Sequence, residues 1–325
     1  MTKHIYIYSP SGAVRDRAAF KRGVARLRAL GHEVEIDSAA LASHQRFAGD
    51  DETRLAAIHR AAASGADVAL ISRGGYGITR LLDRIRYPAL ARAIDRGTQF
   101  VGMSDFTALQ MALLAKTGRT TWAGPALCEG FGAADSTDGA DGHGTGSGTG
   151  PDEIMEACFD DMLAGRGEGA GWRQLREARG AAGEIASVPF TLKPATLWGG
   201  NLAMLCSLVG TPYLPQVAGG VLFVEDVAEH PYRIERMFTQ LLHAGVLARQ
   251  KAIVLGQFTN YQVGPHDRGF KLQSVIEWLR SRLKIPVLTN LPFGHVQTKV
   301  LLPVGAPVRL AVDGREAFLL WGHRH

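Results

Sequence analysis

The first half of the chain alternates short apolar runs with segments whose apolar residues recur at helical spacing. The runs "HIYIYSP", "HEVEID", "DVALISR" and "QFVGM" predict strands, and "DRAAFKRGVARLRALG", "DETRLAAIHRAAASGA", "ITRLLDRI" and "DFTALQMALLAKTG" predict the helices between them. Strands that alternate with helices of this length favour an α/β fold with a parallel, doubly wound sheet. Because such sheets bind ligands beyond the carboxyl ends of their strands, the loops "SRGGYG" and "GMSD" are the first candidates for chemistry.

The second half mixes strands and helices less regularly. "LWGGNLAMLCSLVG" predicts a glycine turn that opens a short helix, "GGVLFVED", "KAIVLGQF" and "PVLTNLPFGH" predict strands, and "PVRLAVDGREAFLLW" predicts a closing hairpin. A length of 325 residues is typical of two domains. We therefore predict an N-terminal α/β domain over residues 1–168, a linker over 169–184 and a C-terminal mixed α/β domain over 185–325.

One stretch has almost nothing to bury. Residues 130–150 read "GFGAADSTDGADGHGTGSGTG", which cannot offset the entropy lost when a chain becomes ordered. We expect a mobile, glycine-rich loop here.

Composition restricts the class of protein. No run approaches the eighteen apolar residues of a membrane span, and "MTKHIYIYSPSG" has no features of a signal peptide, so we expect a cytoplasmic protein. Three widely spaced cysteines argue against a disulfide framework or a zinc ribbon. The net charge is +5, but the basic residues alternate with acidic ones, which argues against nucleic-acid binding.

Ser104 stands where an apolar strand run meets a helical run, and two interpretations are open. Serine and aspartate are preferred helix N-caps, so Ser104 or Asp105 can satisfy the free N–H groups of the first turn. Alternatively, Ser104 is a nucleophile on a tight strand-to-helix turn, where the N–H of Asp105 points at a developing oxyanion. Gly102 suits such a turn, although "GMSDF" lacks the second glycine of GxSxG.

A nucleophilic serine needs a base and a group that orients that base. Glu225 ends an apolar strand, with Asp226 next to it. A carboxylate at this place is equally well explained as a solvated strand end or as the N-cap of the following segment. Among the eleven histidines, His295 is the best placed, because it follows a strand and a glycine. No pattern of metal ligands is present in the sequence, so we predict neither metal nor cofactor.

The loop "SRGGYG" matches neither nucleotide-binding glycine motif. It resembles the GGDG loop of NAD kinases, with Tyr76 in place of the acid, which argues against phosphoryl transfer. The loop is either a tight turn or the source of a second oxyanion donor, the N–H of Gly75.

Five motifs together carry a resemblance over nearly the whole chain: "SRGGYG", "VGMSDFTAL", "LWGGNLAML", "LFVEDVAEHPYRIERM" and "FGHVQTKVLLPVGAPVRL". The chain resembles the LD-carboxypeptidases of serine peptidase family S66. The resemblance implies a catalytic Ser104, Glu225 and His295, an N-terminal domain like that of class I glutamine amidotransferases, and a homodimer. It also implies a small peptide substrate, a murein tetrapeptide that loses its terminal D-Ala during cell-wall recycling, and it leaves Asp105 free to cap the helix.

Substrate binding is assigned to the glycine loop, with Arg73, Gly74 and Tyr76. Arg73 is the first candidate for holding the terminal carboxylate. Arg233 and Lys299 are weaker candidates for this role, and we interpret both as ordinary surface cations. Two other functions remain open. One is the hydrolysis of microcin C and related acyl-sulfamoyl adenylates, as in a relative of the family, and the other is a non-catalytic ligand- or nucleotide-binding protein. An amidotransferase is disfavoured because its elbow requires cysteine.

Overall fold

The structure is a computed structural model that describes residues 2–134, 150–175 and 189–322. Most of the predicted glycine-rich loop and the linker from residue 176 onward lie outside these ranges. Within them, no helix combines the length and apolarity that crossing a membrane requires.

The N-terminal half forms a parallel sheet, as predicted. Its strands follow the predicted apolar runs: β1 His4–Tyr8, β2 Glu33–Ile36, β3 Val68–Ile71, β4 Gln99–Gly102 and β5 Thr121–Ala123. Four helices connect them: α1 Arg17–Ala29, α2 Asp51–Ala63, α3 Tyr87–Asp95 and α4 Phe106–Thr117. The strand order β5-β4-β3-β1-β2 is extended beyond β5 by an antiparallel strand from the C-terminal half.

Both faces of this sheet are buried, as is usual for parallel strands. Successive side chains of β1 point to opposite faces, so Ile5 and Ile7 join a core with α1, while Tyr6 and Tyr8 join a core with α2, α3 and α4. A further helix, α5 Glu153–Ala164, packs with α1 and is capped by Asp152, whose Oδ1 accepts from the N–H of Met155 at 2.9 Å.

The C-terminal half forms a mixed sheet. Four parallel strands run in the order β11-β10-β9-β8: β8 Ala195–Asn201, β9 Val221–Val227, β10 Ala252–Thr259 and β11 Val287–Leu288. The predicted hairpin is present as β13 Pro307–Asp313 and β14 Glu316–Leu320, and β13 pairs antiparallel with β8 and with the short β7 Phe190–Thr191. The helices of this half are α6 Leu202–Ser207, α7 Pro231–His243 and α8 Leu272–Arg282.

A strand from the predicted linker joins the second sheet, and a strand from the C-terminal half joins the first sheet. Strand β6 Gly169–Arg173 pairs antiparallel with β14, and β12 Leu302–Val304 pairs antiparallel with β5. The predicted linker therefore begins as an edge strand of the second sheet, because Ala170 and Trp172 bury alternate side chains there. The division at 168 and 185 stays a prediction.

Two local predictions differ from the structure. "ITRLLDRI" forms only a short 3-10 turn, Ile78–Arg80, because the N–H of Ile78 donates to the Asp105 carboxylate at 3.0 Å instead of starting an α-helix. The glycines of "LWGGN" lie inside β8 rather than in a turn, so the strand carries Asn201 to its carboxyl end.

Candidate active site

Ser104 occupies a strained turn between β4 and α4. Its φ is 63°, in the left-handed region that costs a non-glycine residue about 1–2 kcal/mol. Such strain is typical of a nucleophile elbow. A Cβ on Gly102 would lie 2.7 Å from Cδ1 of Phe106, so the phenyl ring occupies the space that this glycine leaves. Phe106, which is fully buried, stands at the position of the second glycine of GxSxG.

The expected capping role of Asp105 is wrong. Its side chain makes no capping hydrogen bond with α4. Instead, Oδ2 accepts from the Ser11 hydroxyl at 2.7 Å and from the N–H of Ile78 at 3.0 Å, while Oδ1 has no partner among the described residues. Burial raises the pKa of this carboxyl group. Asp105 thus connects the elbow to the residue that follows the glycine loop.

The glycine loop lies directly against the elbow. A Cβ on Gly74 would lie 2.6 Å from Cβ and 2.7 Å from Oγ of Ser104, so only glycine allows this approach. Gly12 donates its N–H to the carbonyl of Gly74 at 3.2 Å, which helps to hold the loop in place. Within the described parts of the chain, neither the N–H of Gly75 nor that of Asp105 donates a hydrogen bond, and both are therefore free to bind an anion.

Glu225 and His295 form a hydrogen-bonded pair. Glu225 is fully buried at the carboxyl end of β9, and its Oε2 lies 2.8 Å from Nδ1 of His295, in the loop between β11 and β12. Burial favours the neutral imidazole, but the charge of Glu225 and its hydrogen bond outweigh burial and raise the pKa of His295. With Nδ1 engaged, Nε2 is the nitrogen left for proton transfer.

Two supporting residues were not assigned roles from the sequence. Asn201 is the register partner of Glu225 on β8, and its Nδ2 donates to Oε1 of Glu225 at 3.3 Å and to Oδ1 of Asp226 at 3.0 Å. Burial and the charge of Glu225 raise the pKa of Asp226 to about 6. The only sequence signal was an amide directly after two glycines, which does not indicate a carboxylate across the strand.

Ser104 and His295 line the same cavity of about 450 Å³, between the two halves of the molecule. The Ser104 hydroxyl makes no hydrogen bond to any residue in the described ranges. Arg73, Gly74 and Gly75 line the cavity as well. Tyr76 is 40% exposed and packs near Phe47, with the ring centroids 6.0 Å apart, and it does not line the cavity.

The three candidate cations differ in their surroundings. Arg73 donates from Nη1 to the carbonyl of Ala13 at 3.1 Å, and its Nε lies 3.5 Å from Oε1 of Glu129. Arg233 is half exposed and pairs with Glu229, as a surface cation does. Lys299 is not a surface cation as expected: it is only 2% exposed and lines the cavity. No cluster of potential metal ligands is present in the described ranges.

The comparisons with known proteins agree over most of the chain. A family model described as the LD-carboxypeptidase N-terminal domain matches residues 5–124, and one described as the LD-carboxypeptidase C-terminal domain matches residues 195–310. A protein of Synechocystis sp. that is named as a carboxypeptidase is 33% identical, over 96% of this chain and 93% of the relative.

Two further matches carry more specific names. The crystal structure of muramoyltetrapeptide carboxypeptidase from Oxalobacter formigenes superposes with a TM-score of 0.81 and 36% identity, over 98% of each chain. The microcin C7 self-immunity protein MccF of Escherichia coli is 28% identical, over 74% of this chain and 69% of the relative.

Proposed function

The chain belongs to the LD-carboxypeptidase family and is a serine-type carboxypeptidase, and from this premise we propose that it releases the terminal D-Ala of murein tetrapeptides through Ser104, His295 and Glu225. One observation carries the assignment of these residues. Ser104, in its strained turn, and His295, paired with Glu225, line one cavity. In the sequence, His295 lies 191 positions after Ser104 and 70 positions after Glu225.

In the proposed reaction, Nε2 of His295 accepts the Ser104 proton while Oγ attacks the carbonyl carbon of the diamino-acid residue. The N–H groups of Asp105 and Gly75 stabilise the oxyanion, a contribution worth about 10²–10³ in rate per donor in other hydrolases. The protonated His295 then gives its proton to the departing D-Ala amine. Water, deprotonated by the same imidazole, hydrolyses the acyl-enzyme.

Glu225 has two roles in this proposal. Its carboxylate keeps the His295 proton on Nδ1, so that the lone pair of Nε2 faces the nucleophile. It also stabilises the imidazolium that forms in each step. Asn201 donates a hydrogen bond to Oε1, the second oxygen of Glu225, and this bond helps to fix the orientation of the carboxylate.

The substrate assignment rests on resemblance. The structure of the muramoyltetrapeptide carboxypeptidase is 36% identical to this chain, whereas structures of the microcin immunity protein MccF cover an equal share of the chain at only 21% identity. We further propose that the enzyme acts in the cytoplasm in cell-wall recycling, as a homodimer that needs neither cofactor nor nucleic acid. Arg73, Gly74 and Tyr76 stay predicted substrate-binding residues.

The test is release of D-Ala from a murein tetrapeptide, measured with wild-type protein and with Ser104→Ala. We expect turnover by the wild type and a decrease of at least about 10⁴-fold in the variant. Turnover by Ser104→Ala at the wild-type rate contradicts the mechanism. A peptidyl-sulfamoyl adenylate serves as the competing substrate, and faster cleavage of that compound reassigns the enzyme to the microcin-type reaction.

A further inference from the structure

The cavity lining contains a buried cation, Lys299, that forms no ion pair with any described residue. Lys299 follows His295 by four residues and is 2% exposed, yet its Nζ makes one long hydrogen bond, 3.3 Å to the carbonyl of Gln297. Within the described ranges, no carboxylate lies within ion-pairing distance of this ammonium group. The charges of Glu129, Asp152 and Glu225 favour the charged form of Lys299, but none of these carboxylates is paired with Nζ, so the ammonium group keeps donors available for a ligand.

The loop that carries Lys299 is firmly anchored. Thr298 donates its hydroxyl to Oδ2 of Asp152 at 2.6 Å, and the N–H of Val300 donates to the carbonyl of Pro292 at 2.8 Å. The same loop places His295 against Glu225. The base and the buried cation are therefore held by one fixed segment, on the same side of the cavity as the proton transfer.

A carboxypeptidase must accommodate a free carboxylate close to the nucleophile, and a buried cation is one group that can bind it. The leaving group is one amino acid, so the free carboxylate lies within about 3.8 Å of chain, one residue, from the scissile carbonyl. Arg73 already donates from Nη1 to Ala13, and its Nε lies 3.5 Å from Oε1 of Glu129, so part of its charge is paired within the protein. The ammonium group of Lys299 has three protons to donate, and its one hydrogen bond to a described residue is the long one to the carbonyl of Gln297.

We propose that Lys299 receives the terminal carboxylate of the peptide and thereby makes the enzyme an exopeptidase. This inference rests on the proposed function and specifies its substrate selection. Pairing with the carboxylate replaces the water that burial removed from the ammonium group, so the site favours a free acid over a neutral chain end.

The experiment compares a murein tetrapeptide that ends in free D-Ala with its C-terminal amide. Truncating one partner of a buried charge pair costs about 2–5 kcal/mol, or roughly 30- to 4,000-fold in affinity. We therefore expect the wild type to prefer the free acid by at least about 30-fold in kcat/KM. Lys299→Met, which keeps the apolar stem, should lose this preference, mainly through a higher KM for the free acid.

Two matched variants complete the design. Lys284→Met makes the same substitution at an exposed position and should keep the preference for the free acid. Arg73→Met removes the competing cation. A preference that survives Lys299→Met, or one that is lost only in Arg73→Met, overturns the proposal. A decrease in stability of Lys299→Met with unchanged preference also overturns it, because that result assigns Lys299 a structural role.

Two measurements remain decisive if Lys299→Met does not fold. Burial lowers the pKa of Lys299 to about 8, against the opposing charges of Glu129, Asp152 and Glu225 that face it. The wild-type preference for the free acid should therefore decrease as pH rises above about 8, and a preference that is flat between pH 7 and 10 contradicts the proposal. Lys299→Arg, which keeps the charge, should retain the preference.

Failure of this inference is distinguishable from failure of the proposed function. Ser104→Ala protein binds both peptides without turnover, and calorimetric titration reports their affinities directly. Tighter binding of the free acid supports the role of Lys299 even where no D-Ala is released. Equal binding of acid and amide overturns it even where the wild type is active.

Discussion

Gly74 approaches Ser104 so closely that a methyl group between them would lie 2.6 Å from Cβ and 2.7 Å from Oγ of the serine. The approach places the glycine loop against the nucleophile, and the next residue of the loop, Gly75, lines the same cavity. The contact joins two loops that follow different strands, β3 and β4, at the same edge of the sheet.

Gly74→Ala should therefore impair catalysis more than folding. The added methyl group must displace either the Ser104 side chain or the loop, and a misplacement of about 1 Å can cost about 10²-fold in rate. We expect kcat/KM for D-Ala release to decrease at least about 10²-fold, with a stability loss of about 1–3 kcal/mol from overpacking. Gly167→Ala is the control, since its Cβ has no neighbour nearer than 3.7 Å. Wild-type activity in Gly74→Ala would refute this role.

Ser104→Gly should be more stable than Ser104→Ala. Alanine keeps the Cβ that makes φ 63° unfavourable, whereas glycine does not, a difference of about 1–2 kcal/mol that the greater backbone entropy of glycine partly offsets. Urea unfolding of the two inactive variants measures the difference. At Ser281, in helix α8, the order should reverse, because glycine destabilises helices relative to alanine. A Ser104→Ala protein as stable as Ser104→Gly, or more stable, would show that Ser104 is not strained.

Glu225→Gln should slow the reaction and change its pH dependence. The amide keeps the shape but cannot enforce the same tautomer, so we expect kcat to decrease about 10⁴-fold. The base acts when neutral, so activity is lost as pH falls through the pKa of His295, which lies above its ordinary value. Removing the charge of Glu225 lowers this pKa, so the acid limb of kcat/KM should move to lower pH. An acid limb that does not move argues against His295 as the base.

Asp105→Ala should loosen the glycine loop, whereas Asp105→Asn should preserve its position. Alanine leaves the Ser11 hydroxyl and the N–H of Ile78 without their acceptor, at about 1–3 kcal/mol for each buried group. The asparagine oxygen can still accept both hydrogen bonds. We expect kcat to decrease about 10- to 100-fold in the alanine variant, with KM less affected, and near wild-type stability in the asparagine variant. Equal kcat in both variants would exclude a positioning role.

The sequence by itself determined the parallel sheet and the order of its elements. Strand β3, for example, is an uninterrupted apolar run because both faces of the sheet are buried, and this burial is visible in the residue pattern. The positions of Ser104, Glu225 and His295 were predictable for a related reason. Each follows a recognisable strand, and the carboxyl ends of parallel strands are where ligands bind.

What only the tertiary structure decided is which side chains meet. Asp105 looked like a helix cap, but its carboxylate turns to Ser11 and Ile78, residues from two other loops. Asn201 contacts Glu225 because β8 and β9 are in register, and Lys299 is buried in the cavity lining. Local pattern encodes the burial of a strand or helix, whereas contacts between distant residues depend on packing that no single segment contains.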